Sequence, residues 1–145
     1  MTTHLSLENA NTSTSIEQPM VTIVVVPRER FSYSQQSLES VYAETDYPFE
    51  LVYVDGGSSP ELKAYLETQS REKQFKLIRT EQFLSPNRAR NIGIQAARGK
   101  YIVFVDNDVL VQKGWLQKLV ECAEETDATV VGTLTCIDSP LHEVV

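Results

Sequence analysis

Tyr101-Ile102-Val103-Phe104-Val105-Asp106-Asn107-Asp108 is the stretch on which the reading of this chain turns. Its first five residues are all β-branched or aromatic and predict a buried strand over 101–105 that runs directly into two carboxylates. A strand end holds side chains rigidly, and one intervening residue lets Asp106 and Asp108 face the same crevice. Hard oxygen donors of this kind suit Mg²⁺ or Mn²⁺ and leave coordination positions open for phosphate oxygens. The competing reading is a strand that stops at a solvated Asp-Asn-Asp turn, since these residues favour turns in any setting. The segment by itself leaves both open.

Working outward, apolar strands and helical stretches alternate. Val21-Thr22-Ile23-Val24-Val25-Val26 is a β-branched run stopped by Pro27, and residues 34–42 follow with Leu38, Val41 and Tyr42 at helical spacing. A second strand over 49–54 ends at Asp55-Gly56-Gly57-Ser58. Ser59-Pro60-Glu61 then supplies a cap, a proline at the first helical position and an early acid for a helix striped by Leu62, Tyr65 and Leu66. Residues 75–79 predict a third strand. Ser85-Pro86 repeats the cap-and-proline start for a helix that carries Ala89, Ile92, Ala96 and Ala97 and closes at Gly99. Beyond the 101–105 strand, residues 114–126 predict a helix with Trp115, Leu116, Leu119, Val120 and Ala123 inward, and 129–134 a last strand.

Strands apolar along their whole length, alternating with helices, imply an α/β fold: a mostly parallel sheet with helices on both faces. Ligands of such sheets bind beyond the carboxyl ends of the strands. Those ends carry Pro27-Arg28-Glu29-Arg30, Asp55-Gly56-Gly57-Ser58 and Asp106-Asn107-Asp108, three polar clusters on one edge.

The bulk properties set the bounds. With 145 residues the chain reads as one domain, residues 20–145, behind a Thr-, Ser- and Asn-rich tail over 1–19 read as disordered. A net charge of −7 argues against a general nucleic-acid-binding surface. Cys122 and Cys136 have no metal-ligand spacing and read as packed thiols of a reducing compartment rather than a disulfide. The tail has neither the basic start nor the apolar stretch of a signal peptide, and no segment reaches the length of a membrane span. The expected location is therefore the cytoplasm, with peripheral membrane association left open. His4 and His142 have no sequence partner that suggests a role.

In that order, the strand-end clusters resemble the nucleotide-binding half of family 2 glycosyltransferases, whose fold is the Rossmann-like glycosyltransferase A type. The matching pieces are 21–27, LVYVDGGS at 51–58, NRARNIG at 87–93 and AARGKYIVFVDND at 96–108. The resemblance implies a nucleoside-diphosphate sugar donor, most often a UDP-sugar, a divalent Mg²⁺ or Mn²⁺ cofactor, and inverting transfer to a glycan, lipid or protein acceptor. It implies that Pro27 sets its loop against the nucleoside and that Asp55 accepts hydrogen bonds from the base. Asp106 and Asp108 become the metal pair, with Asp106 also placed to contact the ribose or a metal-bound water and Asp108 the ligand of the metal bridging both phosphates. For Asp55 the alternative is a carboxylate that only caps the Gly-Gly turn.

Arg88 and Arg90 fall near a helix N-terminus, where free N–H groups and the helix dipole favour an anion. Their guanidinium groups are candidates for the diphosphate. Two residues apart, they cannot share a helical face, so one at most is expected to reach it, with Arg90 favoured. Asn91 reads equally as a helix–loop tie, Arg28 and Arg30 equally as surface charge, and Trp115 as core rather than a sugar-stacking platform.

Inverting transfer also needs a base for the acceptor hydroxyl. Glu121, Glu124, Glu125 and Asp127 lie on or just past a helix, and neither Asp138 nor Glu143 stands in a family-like base motif, so no catalytic base is named. The chain reads as a donor-binding half whose acceptor half comes from further sequence or a partner chain. An apolar edge left open would favour self-association. Two other classes remain: a non-catalytic nucleotide-binding module of the same fold, and a haloacid dehalogenase-type phosphohydrolase with Asp106 as nucleophile and Asp108 as acid.

Overall fold

The computed structural model describes residues 21–28, 31–133 and 135. Its strands are β1 (Val21–Val26), β2 (Phe49–Gly56), β3 (Lys76–Thr80) and β4 (Tyr101–Asp106). Its helices are α1 (Ser34–Ala43, entered through a 3₁₀ turn at Phe31–Tyr33), α2 (Pro60–Lys73), α3 (Pro86–Ala96) and α4 (Trp115–Thr126). The strands form a single sheet in the order β3-β2-β1-β4, with every pair parallel.

β1 is central because all six of its residues are apolar or β-branched, and all six are buried. Its alternating side chains feed two cores, as the period of two requires. Val21, Ile23 and Val25 face Leu38 and Val41 of α1, Leu62 and Leu66 of α2, and Leu116 and Val120 of α4. Val24 and Val26 face Ala89, Ile92 and Ala96 of α3. Three helices cover one face and a single helix the other. On that second face Ile102 and Phe104 of the edge strand β4 remain 37% and 40% exposed, so the expected double cover stops short of β4.

Local signals set the helix ends. Ser59 Oγ accepts the Leu62 N–H at 3.4 Å and Pro60 opens α2, as its sequence predicts. Ser85 precedes Pro86 in the same way but makes no side-chain cap bond. Trp115 starts α4 half-buried against the core, and its indole N–H donates to Thr45 Oγ1 at 2.9 Å.

Three expectations fail. Residues 129–133 form no strand, and Val130 is 86% exposed: β-branched residues become a strand only with a ladder to join, and no described strand pairs with this segment. Leu134 lies outside the described residues. The helix cap expected at Gly99 is also absent, since α3 ends at Ala96 with Ala97 extended. Gly99 is there for close approach: a Cβ on it would stand 2.6 Å from the Thr22 nitrogen and 2.7 Å from the Val21 carbonyl carbon. Finally, Cys122 is a free, exposed thiol on α4, not a packed one. The tail, Arg30, Cys136 and both histidines lie outside the described residues.

Candidate active site at the carboxyl edge of the sheet

At the end of β2, Asp55 is 2% exposed, and both of its carboxylate oxygens accept hydrogen bonds. One oxygen accepts the Ser58 N–H at 3.2 Å, and the other accepts the Ser58 hydroxyl at 2.8 Å and a guanidinium N–H of Arg79. The turn that brings Ser58 back depends on Gly57, whose φ of +77° disfavours any side chain. Arg79 comes from β3, where the ladder sets it directly across from Asp55. Its guanidinium also donates to the Ser58 hydroxyl at 2.9 Å and the Ser58 carbonyl at 3.1 Å, while its Nε is buried without a hydrogen-bond partner. Asp55 therefore caps the Gly-Gly turn and holds an arginine at the same time.

The end of β4 is built differently. Asn107, in the middle of the Asp-Asn-Asp stretch, is buried and ties three segments together. Its N–H extends the ladder to the Val26 carbonyl at 2.9 Å. Its side-chain oxygen accepts the Arg28 N–H at 2.7 Å, and its amide donates to Ser34 Oγ at 2.8 Å. The loop after β1 and the start of α1 are thus pinned to the strand that carries the two aspartates.

Asp106, 25% exposed at the side chain, sits between two cations. Arg28 Nε lies 3.2 Å from one oxygen and Arg90 Nη2 3.3 Å from the other. Arg90 is further steadied by Asn87 Oδ1 at 3.1 Å and lies over the Phe104 ring, 5.8 Å from its centroid. Asp108 is half-buried and pairs with no described residue. A free carboxylate one residue from Asp106 is a hard-oxygen donor set of the kind Mg²⁺ or Mn²⁺ takes. Among the described residues no three His, Cys, Asp or Glu side chains are grouped to hold a metal.

The structure thus brings Pro27, Arg28, Asp55, Arg90, Asp106 and Asp108 to one edge. Pro27 is buried beside Gly56, where a Cβ would meet Pro27 Cγ at 3.2 Å, so the loops after β1 and β2 touch. Of the α3 pair, Arg90 reaches the cluster and Arg88 stays exposed, with no ion pair among the described residues, as the helical offset of two residues demands. Arg79, Ser58, Ser34 and Asn107 escaped sequence reasoning. An arginine inside a predicted buried strand was a signal for Arg79, because a buried guanidinium needs a counter-charge. A cavity of about 620 Å³ opens elsewhere, at the strand starts beside Tyr42, Phe49 and Phe75, and holds none of these residues.

Residues 22–143 match the family model of glycosyl transferase family 2. The chain belongs to this family. A glycosyltransferase of Rickettsia felis is 26% identical over 121 residues, which cover 83% of this chain and 20% of the relative. Across eight curated relatives, this family 2 chain spans from 18% to 42% of their length. The S. aureus TarS fragment 1–349 in complex with UDP-GlcNAc superposes with a TM-score of 0.61 at 26% identity, covering 72% of this chain and 31% of the fragment. The Pyrobaculum calidifontis mannosyltransferase PcManGT, solved with GDP-Man and Mn²⁺, has a TM-score of 0.66 at 23% identity over 86% of this chain and 37% of its own, a likeness of fold. The fold is therefore of the glycosyltransferase A type, and the dehalogenase reading of Asp106 falls away.

Proposed function

We propose that this family 2 domain binds a UDP-sugar with a divalent cation, Mn²⁺ or Mg²⁺, at Asp106 and Asp108, for inverting transfer to an acceptor hydroxyl. One observation carries this reading: among the described residues nothing pairs with Asp108, which stands beside an Asp106 flanked by two arginines, at the edge where parallel sheets bind ligands. The donor bound by the TarS relative supports uridine as the nucleoside.

Each residue has a task in this scheme. Pro27 and the turn at Gly56-Gly57 wall the nucleoside pocket, and the Asp55–Arg79 pair presents fixed hydrogen-bonding groups to the base. Asp106 and Asp108 would hold the cation, which supplies Lewis-acid stabilisation of the departing diphosphate. Arg28 and Arg90 add positive charge at the same phosphates, and Arg88 a more distant one. Asn107 fixes the aspartates by holding the loop after β1 and the start of α1 in place. Residues 20–145 act as the donor-binding domain, and the acceptor half with its base comes from further polypeptide or a partner. Among the described residues no helix is long and apolar enough to cross a membrane, and a cytoplasmic site of action, free or at a membrane surface, accords with the donor.

Calorimetric titration of UDP with and without Mn²⁺, on wild type and Asp108→Ala, tests this reading. Metal-dependent UDP binding that Asp108→Ala weakens by about a hundredfold or more is expected, since losing only a hydrogen-bonded neighbour of a metal ligand already costs about ten- to a hundredfold. Absence of UDP binding by folded wild type would overturn it.

A further inference from the structure

The way Asp106 is held carries a consequence for the order in which ligands bind, resting on the donor-site reading above. Its two oxygens are occupied by Arg28 from the loop after β1 and by Arg90 from α3, at 3.2 and 3.3 Å. These are ion pairs of partly exposed groups, the arginine side chains being 51% and 32% exposed. Pairs of that kind are weak and exchange readily for a better partner. No described residue pairs with Asp108, and Arg28, Arg90, Asp106 and Asp108 together carry no net charge. Such a site offers a lone divalent cation little attraction, and one of its two carboxylates is already taken.

A diphosphate changes the balance. It is a stronger, bidentate partner for guanidinium than one half-exposed carboxylate. We propose that Arg28 and Arg90 form an exchangeable latch on Asp106: the nucleoside diphosphate draws both guanidinium groups to its phosphates, and the freed Asp106 then becomes available to the divalent cation. Nucleotide and metal are thereby coupled through the two arginines, and coupling of this kind is reciprocal. The arginines are positioning residues for the metal as well as partners for the phosphates. Removing them should strengthen binding of metal alone while weakening binding of nucleotide alone, a pair of opposite signs that a merely structural role would not produce.

The test is Mn²⁺ binding in the absence of nucleotide, followed by the electron paramagnetic resonance signal of free Mn²⁺ at low ionic strength. Arg28→Met and Arg90→Met are each expected to tighten Mn²⁺ binding about three- to fivefold, and the double variant about tenfold, the scale of one and two exposed ion pairs. Arg88→Met removes a nearby charge that does not touch Asp106 and should change the affinity less than about twofold. Adding Asp106→Asn to either single variant should erase its gain. Without metal, the double variant should bind UDP about tenfold more weakly than wild type.

Folded variants whose Mn²⁺ affinity is unchanged or lower would overturn the latch, as would an equal gain in Arg88→Met. If the double variant does not fold, the single variants decide on the same criterion. Tight binding of Mn²⁺ alone by wild type would overturn the latch and leave the donor site standing. Failure of wild type to bind UDP in the presence of Mn²⁺ would overturn both.

Discussion

Arginine meets carboxylate at both edges of this sheet, with opposite results. At the strand starts, Glu50 is saturated. It accepts the Thr22 hydroxyl at 2.6 Å, the Arg98 N–H at 2.6 Å and the Arg98 side chain at 2.7 and 2.8 Å, while Thr22 Oγ1 in turn accepts the Gly99 N–H at 2.8 Å. At the strand ends, Asp106 holds two arginines by longer contacts and Asp108 holds no described residue. A closed network spends its hydrogen-bonding capacity on the fold, and an open one keeps it for a ligand. Asp55 stands between the two cases, at the proposed ligand edge yet with both oxygens engaged.

That intermediate position makes Asp55 the sharpest test. Asp55→Ala would strand the largely buried Arg79, and losing one partner of a buried ion pair costs about 3 kcal/mol. Denaturant unfolding should show that loss, and calorimetry should show UDP binding lost in protein that remains folded. If stability falls while UDP affinity holds, the Asp55–Arg79 pair belongs with Glu50 as structure and has no part in reading the base.

Gly99→Ala attacks the closed network through the backbone. Its Cβ would stand 2.6 Å from the Thr22 nitrogen and 2.9 Å from Thr22 Oγ1, so the connection from α3 into β4 must shift away from β1. A destabilisation of about 2 kcal/mol is expected, in the range for overpacking, with UDP affinity unchanged at the far edge. A change in affinity larger than in stability would mean that the two edges are not independent.

Glu50→Gln keeps the shape and removes the charge. Partial burial pushes the Glu50 carboxyl up, but hydrogen bonds from Thr22 and from the side chain and backbone of Arg98, with the Arg98 charge, outweigh it and hold the group below its usual value. A carboxyl lowered by folding contributes stability that is present above its unfolded pKa and lost as pH falls through the folded one. At neutral pH the variant should be less stable by about 1–2 kcal/mol, the worth of hydrogen bonds to a charged group. In a pH series of unfolding curves the gap should narrow below the usual carboxylate range, as protonation makes wild type resemble the variant. A gap independent of pH would show that shape rather than charge holds this edge together.

The same contrast explains what was legible in the chain. β1, β2 and β4 follow from runs of mostly apolar residues, and Asp106 and Asp108 stand where a strand run simply stops. Arg79 could not be assigned in that way, because its partner depends on the register between β2 and β3, which neither strand encodes alone. Asn107 sits in plain view, but its three ties reach Val26, Arg28 and Ser34, more than seventy residues away. The 129–133 stretch has strand propensity without a ladder, and Gly99 has the look of a helix cap while serving a close approach to β1. Local pattern predicted the elements and the residues at their ends. The networks between ends needed the fold.

Tyr53 gives the smallest expected effect and a check on how saturation should be valued. Its ring packs with Phe75 at 6.3 Å in the core beneath β2, and burial raises its phenol well above the usual range. Among the described residues the hydroxyl reaches no partner at hydrogen-bonding geometry, although Ser34, which already accepts from Asn107, lies beside it. A buried hydroxyl without a bond contributes no hydrogen-bond energy and keeps its desolvation cost. Tyr53→Phe should therefore leave stability within about 0.5 kcal/mol of wild type or raise it slightly, read from paired denaturant curves. A loss above about 1 kcal/mol would mean that Tyr53 bonds to Ser34 in solution. The Asn107–Ser34 tie behind the aspartates would then extend into β2, and the open edge would rest on a network as closed as the one at Glu50.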